Sequence, residues 1–287
     1  MLYARRGLIQ AFGGIASTTV FISCARQPMQ NMNLSFWQNI KSEELYQQVA
    51  ADENCEFVLK IMRALLPDPV WTAPIIEAVE SKRIETRCFV SWLARELQPK
   101  TYLEVGVRRG FSMAMVAARS PEAEIYGLDL WVPIYADAPN PGPRFVQSEM
   151  RKIGYNKTVH LINGDSHRTL PAFFRDERAS TRDRLKLRWN AKTRPASFEL
   201  ILIDGDHTLL GAYQDLLDTM PHCTIGGAVV FDDISPGALK REEGEVDPHG
   251  WGDLLGVWHA IQQRFPTFRY FEYLLDLPGV GVAVRMK

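Results

Sequence analysis

Hydrophobic and polar positions follow two different patterns along this chain, and the change between them comes near Lys100. Before it, apolar residues recur at helical spacing over residues 43–66 and again over about residues 73–97, so both stretches predict helices. Pro67 and Pro69 lie between them and end the first pattern, because proline does not continue a helix. Beyond Lys100, short runs rich in β-branched residues alternate with helical stretches.

The chain beyond Lys100 predicts an α/β fold with a mostly parallel sheet. Strands are predicted at residues 101–105, 124–128, 158–162, 198–203 and 227–231. Helices are predicted at residues 111–119, 144–153, 166–174, 208–219 and 254–265. Strands that alternate with helices form a parallel sheet covered by helices on both faces. The last two β-like runs, residues 269–275 and 280–285, flank a Leu-Pro-Gly turn and predict an antiparallel hairpin at one edge.

These patterns divide the chain into three parts. Residues 1–40 are expected to be a leader or disordered extension, residues 41–98 a helical N-terminal segment, and residues 99–287 the domain built on the sheet. The last part is long enough to bury a core of its own.

The first part of the chain has two interpretations. Arg5 and Arg6 precede a moderately apolar run that ends at Cys24, which is typical of a bacterial export signal of the twin-arginine or lipoprotein type. A poorly ordered extension would have the same composition, and the first acidic residue is Glu43. Both interpretations stay open, and residues up to about 40 are left out of the fold prediction.

Composition excludes several classes of protein. Of the 287 residues, 46% are hydrophobic and 23% are charged, so the chain is neither disordered nor fibrous. The 33 basic and 34 acidic residues leave a net charge of -1, so no overall positive field attracts nucleic acid, and no nucleic-acid partner is expected. The 4 cysteines include no C-x-x-C pair, which argues against a structural zinc site and a dense set of disulfides.

One segment, residues 175–194, is locally basic and lies between the third helix and the fourth strand. A solvated surface loop explains its charge. The alternative is a docking patch for an anionic substrate or partner, balanced by acidic residues elsewhere in the chain.

A glycine motif joins the first predicted strand to its helix. Its sequence is Glu104-Val-Gly106-Val-Arg-Arg-Gly110-Phe-Ser112. Glycines at such a junction let the backbone approach a ligand closely, and the amides of the helix face that ligand. The spacing is G-x-x-x-G and not the G-x-G-x-x-G of a pyrophosphate-binding site, so the motif favours a nucleoside without phosphates. The candidate cofactor-binding residues here are Glu104, Gly106, Gly110 and Ser112.

Polar residues also end the next two strands. Asp129 lies about 20 residues beyond the glycine motif, where a carboxylate suits the two hydroxyls of a ribose. After the third strand, Asp165 is a candidate acceptor for an exocyclic amine, and Ser166 is a candidate cap of the following helix. Capping alone also explains Asp165 and Ser166. Because ligands of open α/β sheets bind at the carboxyl ends of the strands, the three features in this order indicate one ligand site.

The order of these motifs resembles the class I S-adenosylmethionine-dependent methyltransferases. Their glycine motif, ribose acid and adenine-side acid occur in the same order, and a hairpin closes their sheet. The resemblance covers about residues 85–287. It implies a Rossmann-like sheet of seven strands, mostly parallel, with helices on both faces and a C-terminal antiparallel hairpin. It also implies S-adenosyl-L-methionine as the cofactor.

The fourth and fifth strands narrow the resemblance to one branch, the small-molecule and sugar O-methyltransferases with a D-G-D-H motif. The residues that carry it are Asp204-Gly-Asp206-His207, Tyr213, Asp215 and Asp232-Asp233. The branch implies that Asp204, at the end of the fourth strand, lies beside the cofactor.

The metal-dependent members of this family, including the catechol type, imply a magnesium site. Their ligands correspond to Asp204, Asp232 and Asp233 in this chain. Three carboxylates that converge at neighbouring strand ends form an oxygen site suited to Mg²⁺. The catechol-type pattern ends in Asp-Asn, whereas this chain has Asp-Asp. Helix caps and solvated acids are the alternative explanation of the same residues.

His207 is the candidate general base. It lies three residues after Asp204, at the offset where the catechol type has a lysine that acts as base. A histidine can accept a proton at neutral pH. The rival is His249, in a long loop over residues 235–252 that is expected to cover the strand ends as a substrate lid.

The sequence therefore predicts an O-methyltransferase that acts with Mg²⁺ on a hydroxyl of a small molecule such as a sugar, a phenol or a polyketide. A metal-independent methyltransferase acting on another atom is the first alternative, and a non-catalytic S-adenosylmethionine-binding protein on the same fold is the second. A homo-oligomer stays open. Cytoplasmic residence is expected because S-adenosylmethionine is made there, and the N-terminal run keeps an exported or membrane-tethered form as the alternative.

Overall fold

The computed structural model describes the chain at residues 34–65, 72–135, 138–175, 180–182, 194–235, 253–274 and 279–287. The predicted export signal up to Cys24, the predicted lid with His249, and most of the basic segment 175–194 lie outside the described residues. Within them, the helices are all too short or too polar to cross a membrane.

A seven-stranded sheet in the order β5-β2-β1-β6-β7-β9-β8 forms the centre of the protein. Its strands are β1 (Thr101–Val105), β2 (Glu124–Asp129), β5 (His160–Asn163), β6 (Phe198–Ile203), β7 (Cys223–Phe231), β8 (Phe268–Tyr273) and β9 (Val280–Arg285). Strands β5, β2, β1, β6 and β7 run parallel, whereas β9 is antiparallel to both β7 and β8. The predicted fold class, a mostly parallel sheet closed by an antiparallel hairpin, is confirmed. A separate two-stranded ribbon joins β3 (Ile134–Tyr135) and β4 (Ala138–Pro139).

Helices cover both faces of the sheet. They are α1 (Leu34–Asn39), α2 (Ser42–Val49), α3 (Asp52–Ala64), α4 (Thr72–Glu80), α5 (Thr86–Leu97), α6 (Phe111–Arg119), α7 (Pro143–Lys152), α8 (Ser166–Phe174), α9 (Leu209–Thr219) and α10 (Leu254–Arg264). Each of the two long helices predicted before Lys100 divides into two. The second divides after α4, where Lys82 takes a left-handed φ of 61° that a helix cannot continue through.

The two faces of the sheet bury two separate sets of side chains. Along β6, Leu200 and Leu202 pack with the layer that contains α1 to α7, whereas Ile201 and Ile203 pack with the layer of α8, α9 and α10. This alternation follows from the two-residue period of a strand. Because both faces are covered, the central parallel strands β1 and β6 are buried along almost their whole length.

The boundary predicted at residue 40 falls inside a packed segment. Trp37 in α1 is fully buried, and its ring lies 6.3 Å from that of Trp92 and 6.1 Å from that of Phe271. The guanidinium of Arg269 donates hydrogen bonds to the carbonyls of Trp37 and Ile40. Residues 34–40 therefore belong to the folded protein, and the expectation of a leader up to residue 40 is corrected there.

The carboxyl ends of β1 and β6 mark the place where a ligand site is expected. From β1 the sheet continues to β2 and β5 on one side and to β6 and β7 on the other. At such a reversal of strand order the loops on either side diverge and leave a crevice. The candidate site residues lie at the carboxyl ends of β1 and β6 and of β2, β5 and β7 on either side of them.

Candidate active site

Gly106 lies at the point where the loops after β1 and β6 touch. Its φ is +88°, and a Cβ atom added there would lie 1.8 Å from the carbonyl oxygen of Asp204. Its amide donates a 2.9 Å hydrogen bond to the carbonyl of Leu128. Only glycine satisfies both the conformation and the contact, which explains the residue that the sequence singled out.

Asp129 holds the glycine loop in place. Its Oδ2 accepts hydrogen bonds from the amides of Val107 at 2.9 Å and Arg108 at 2.7 Å, and its Oδ1 accepts one from the amide of Trp131 at 2.5 Å. The loop amides that would cradle a pyrophosphate are thus already bound to a carboxylate. The geometry agrees with the G-x-x-x-G spacing in favouring a ligand without phosphates at this loop.

The other residues of the glycine motif lie beneath the loop. Gly110 precedes α6 with a φ of +78°, and a Cβ there would lie 2.8 Å from Cγ1 of Val146. Ser112 is buried in the first turn of α6. Burial raises the pKa of Glu104 to about 8, although the Tyr102 hydroxyl donates a 2.7 Å hydrogen bond to it. Glu104 is therefore a largely protonated carboxyl in the ligand-free protein at neutral pH.

After β5, the helix cap is Asp165 and not Ser166, the candidate that the sequence suggested. Asp165 is the N-cap of α8, and its Oδ1 accepts the amide of His167 at 3.0 Å. Ser166 is the first residue of this helix, and its side chain faces the buried carboxylate of Asp215. Asp165 is half exposed at the edge of the crevice, so a ligand can reach it.

Asp204, His207 and Asp233 form a compact cluster at the ends of β6 and β7. Nε2 of His207 lies 3.3 Å from Oδ1 of Asp204, and its Nδ1 lies 3.4 Å from Oδ2 of Asp233. One ligand atom from each of the three residues lies within 4.8 Å of the others. Asp233 has a left-handed φ of 62°, which is unfavourable for a residue other than glycine. Strain of this kind is concentrated at functional sites.

The cluster strongly affects the protonation of His207. Burial of the ring disfavours its charge, but the hydrogen bond to Asp204 and the charges of Asp233, Asp204 and Asp232 outweigh burial and raise its pKa to about 9. Without a bound cation, His207 is thus an imidazolium at neutral pH and neutralises part of the acidic site.

Asp232 differs from the expected metal ligand. It is buried, and its Oδ1 accepts hydrogen bonds from the Thr86 hydroxyl and from the Asp233 amide at 2.9 Å. Among the described residues, the group able to hold a metal contains His207 in place of Asp232. The compact group thus consists of Asp204, His207 and Asp233, and the metal set of Asp204, Asp232 and Asp233 stays a prediction.

Three residues near this cluster were not predicted. Thr86 and Arg87 begin α5, and Arg87 is a nearly buried guanidinium 2.5 Å from Glu85 that also interacts with the charges of Asp232 and Asp204. Tyr135 in β3 also lies near the cluster. Burial and the nearby charges of Asp204 and Asp233 raise the pKa of its hydroxyl. No local pattern marks them: Thr86 and Asp232 are 146 residues apart in the sequence.

Comparisons with known proteins identify a methyltransferase-like region within the chain. Residues 103–234 match a family model described as a methyltransferase domain. No curated protein sequence matches the chain. A methyltransferase from Podospora anserina with bound SAH has 16% identity and a TM-score of 0.49, with coverage of 83% of this chain and 89% of that one. The O-methyltransferase TomG from Streptomyces achromogenes, involved in tomaymycin synthesis and bound to SAM, has 17% identity and a TM-score of 0.48, with coverage of 83% and 91%.

These solved structures are too distant to transfer a substrate or a metal to this chain. The family match spans the glycine motif, Asp129, Asp165 and all three members of the cluster. The sheet from β1 to the residues just after β7 is therefore similar to a methyltransferase domain, in agreement with the class I S-adenosylmethionine-dependent enzyme that the sequence predicts.

Proposed function

We propose that this protein is an S-adenosylmethionine-dependent O-methyltransferase that acts on a hydroxyl of a small molecule with the help of a divalent cation. The observation that carries the proposal is the position of the Asp204, His207 and Asp233 cluster beside the glycine loop. Gly106 packs directly against the backbone of Asp204, so the glycine loop and the candidate metal site are adjacent.

The residues present fit the cofactor. The loop after β1 presents a glycine turn whose amides are bound to Asp129, so it suits the ribose and methionine portions of S-adenosylmethionine better than a diphosphate. Asp204 would supply a carboxylate to a cationic ligand, and Glu104, largely protonated in the ligand-free protein, would lose its proton when such a ligand binds. When bound, S-adenosylmethionine supplies a methyl group on a sulfonium, which is open to attack by an oxygen nucleophile.

The cluster also fits a divalent cation. Two carboxylates suit Mg²⁺, with water as the remaining ligands. If His207 coordinates as well, the mixed oxygen and nitrogen donors favour Mn²⁺ or Zn²⁺ over Mg²⁺. When bound, the cation would lower the pKa of the acceptor hydroxyl and orient it.

The chain's own residues would perform three tasks in this reaction. Asp204 and Asp233, at the ends of the neighbouring strands β6 and β7, would supply the negative charge that binds the cation. If Asp204 and Asp233 alone hold the cation, His207, once deprotonated, would accept the proton of the acceptor hydroxyl at its unprotonated ring nitrogen. The ribbon with Tyr135, which is partly buried near the charges of Asp204 and Asp233, would restrict the access of water. Much of the rate enhancement would come from placing the two reactants together.

A metal-independent methyltransferase is the second candidate, and Arg87 favours it. This guanidinium interacts with the charges of Asp232 and Asp204, and His207 is itself cationic without a metal. Two protein cations thus already compensate the acidic cluster. In that case the acids would shape the pocket and orient the acceptor without a metal.

A methylation assay with and without chelator, on catechols, sugars and other small diols, separates the two candidates. Metal dependence predicts that chelation abolishes turnover and that Asp233→Asn has the same effect, while S-adenosylhomocysteine still binds. Asp52→Asn is the matched control, because Asp52 is exposed on α3. Full activity in chelator would eliminate the metal. Failure of S-adenosylhomocysteine to bind the wild-type protein would eliminate the function as a whole.

We also propose that the enzyme acts in the cytoplasm, where its cofactor is made. Fractionation of cells that express the full chain tests this, with Cys24→Ala as the control for a lipoprotein-type signal. A processed, membrane-bound product that depends on Cys24 would contradict the proposal.

A further inference from the structure

Asp215, eight residues beyond the D-G-D-H motif, has no role in the chemistry described above, yet it lies directly beneath the D-G-D-H loop. It is fully buried in α9, and burial raises its pKa to about 7. Neither carboxylate oxygen makes a hydrogen bond of good geometry within the described residues. The Ser166 side chain, His167 and the Asp206 backbone amide nevertheless face it and favour its charged form. A buried carboxylate so incompletely satisfied destabilises a fold, which makes a purely structural role a poor explanation.

The groups around Asp215 come from the start of α8 and from the D-G-D-H loop. Nε2 of His167, the second residue of α8, lies 3.6 Å from Oδ1 of Asp215 and 3.7 Å from Oδ2 of Asp206. The same nitrogen lies 3.3 Å from the carbonyl of Gly211, and Nδ1 lies 3.5 Å from Oδ1 of Asp165. His167 therefore bridges the loop of Asp165 and the D-G-D-H loop.

The D-G-D-H loop packs closely against Asp215. A Cβ at Gly205 would lie 3.0 Å from Oδ2 of Asp215 and 2.9 Å from Cγ1 of Val105. A Cβ at Gly211 would lie 2.0 Å from Oδ2 of Asp206, so glycine at this position leaves the space that the Asp206 side chain fills. Asp206 also fixes the turn before α9, since its Oδ1 accepts a 2.8 Å hydrogen bond from the amide of Thr208, the N-cap of that helix.

We infer that Asp215 and His167 are positioning residues that couple the loop after β5 to the D-G-D-H loop. Through this coupling they hold Asp204 and His207 in position together with Asp165, on the adenine side of the cofactor site. This rests on the function proposed above. Neither residue is among the candidate metal ligands. The pair acts through the backbone of residues 204–207, which it supports from below.

Asp215→Asn and His167→Gln test the inference in the full-length protein, and Asp218→Asn is the matched control. Asp218 is also a buried carboxylate of α9, but it is bonded to Gln214 at 2.9 Å, one turn further from the loop. In Asp215→Asn we expect hydrogen exchange of residues 204–208 to be faster in the ligand-free protein, while the melting temperature is kept or raised. We expect kcat and the affinity for Mn²⁺ alone to fall about tenfold to a hundredfold, as for partners of metal ligands.

Two further results would distinguish positioning from a merely structural role. His167→Gln should reproduce the effect more weakly, and the double variant should be no worse than Asp215→Asn alone, because the two residues act as a unit. Equal exchange of residues 204–208 in Asp215→Asn and Asp218→Asn would overturn the inference. Because that exchange is measured without ligand, it stays informative even if the wild-type protein binds neither cofactor nor metal and the proposed function fails.

Discussion

At the scale of single residues, Gly106 shows how one position can be required twice. Its φ of +88° disfavours any other residue, and its missing Cβ leaves room for the carbonyl of Asp204. The first requirement is local to the turn. The second exists only because β1 and β6 are neighbours in the sheet, and it keeps the glycine loop in contact with the acidic cluster.

We expect Gly106→Ala to weaken the binding of S-adenosylhomocysteine by roughly tenfold or more, equivalent to about 1.4 kcal/mol, because the added carbon separates the two loops. Gly142→Ala is the control, since Gly142 has a φ of +81° but nothing lies within 4 Å of its Cβ position. Both variants place alanine at a positive φ, and only the first has the clash. Calorimetry with equal affinities in the two variants would show that strain alone matters.

At the scale of secondary structure, the helices before β1 are part of the core and cannot be separated from the sheet. Trp37 of α1, Trp92 of α5 and Phe271 of β8 belong to one buried cluster. At its start, α5 also brings Thr86 and Arg87 to the acidic site. The N-terminal helices thus support the site as well as the fold.

We expect Trp37→Ala to lower the free energy of unfolding by about 3–5 kcal/mol, as for other large buried aromatic side chains. Phe36→Ala serves as the comparison, because Phe36 lies on the same helix but is only partly buried. Denaturant titration of both variants gives the measurement. Similar small losses for the two would mean that α1 is only loosely attached.

At the scale of the whole molecule, the ligand-free site makes the stability of the protein depend on pH. The folded-state pKa of His207 is raised from 6.5 to about 9, and that of Glu104 from 4.5 to about 8. Because both groups hold protons more tightly in the folded protein than in the unfolded chain, protonation favours folding. The contribution of His207 is complete below about pH 6.5 and is lost as the pH rises through about 9. That of Glu104 is complete below about pH 4.5 and is lost as the pH rises through about 8.

We therefore expect the free energy of unfolding of the ligand-free protein to fall between about pH 6.5 and 9, by on the order of a few kcal/mol. Urea titrations at several pH values measure it. In Glu104→Gln the fall should be smaller, because one of the groups that take up a proton on folding is gone. A stability that is constant or rises over this range would contradict the assignment of these two groups.

Much of this architecture could be predicted from the sequence, because strand and helix periods are local properties. The α6, α8 and β6 bounds were predicted as observed, and the parallel sheet with its hairpin followed from the order of the elements. The turns between α2 and α3 and between α4 and α5 were missed, since a helical pattern of apolar residues continues across them. The end of the leader was placed too late because the partners of Trp37 lie far along the chain.

The sequence by itself determined the sheet, the glycine motif, the acid that ends each strand and the candidate base, because each is a property of a short segment. Only the tertiary structure decided which of these acidic side chains lie in contact with one another and with His207. It turned Asp232 inward to Thr86 and placed His207 between Asp204 and Asp233, through contacts between residues distant in sequence and the left-handed turn at Asp233. It also put Asp215 beneath the D-G-D-H loop, because the packing of α9 against β6 sets which of its faces lies under the site.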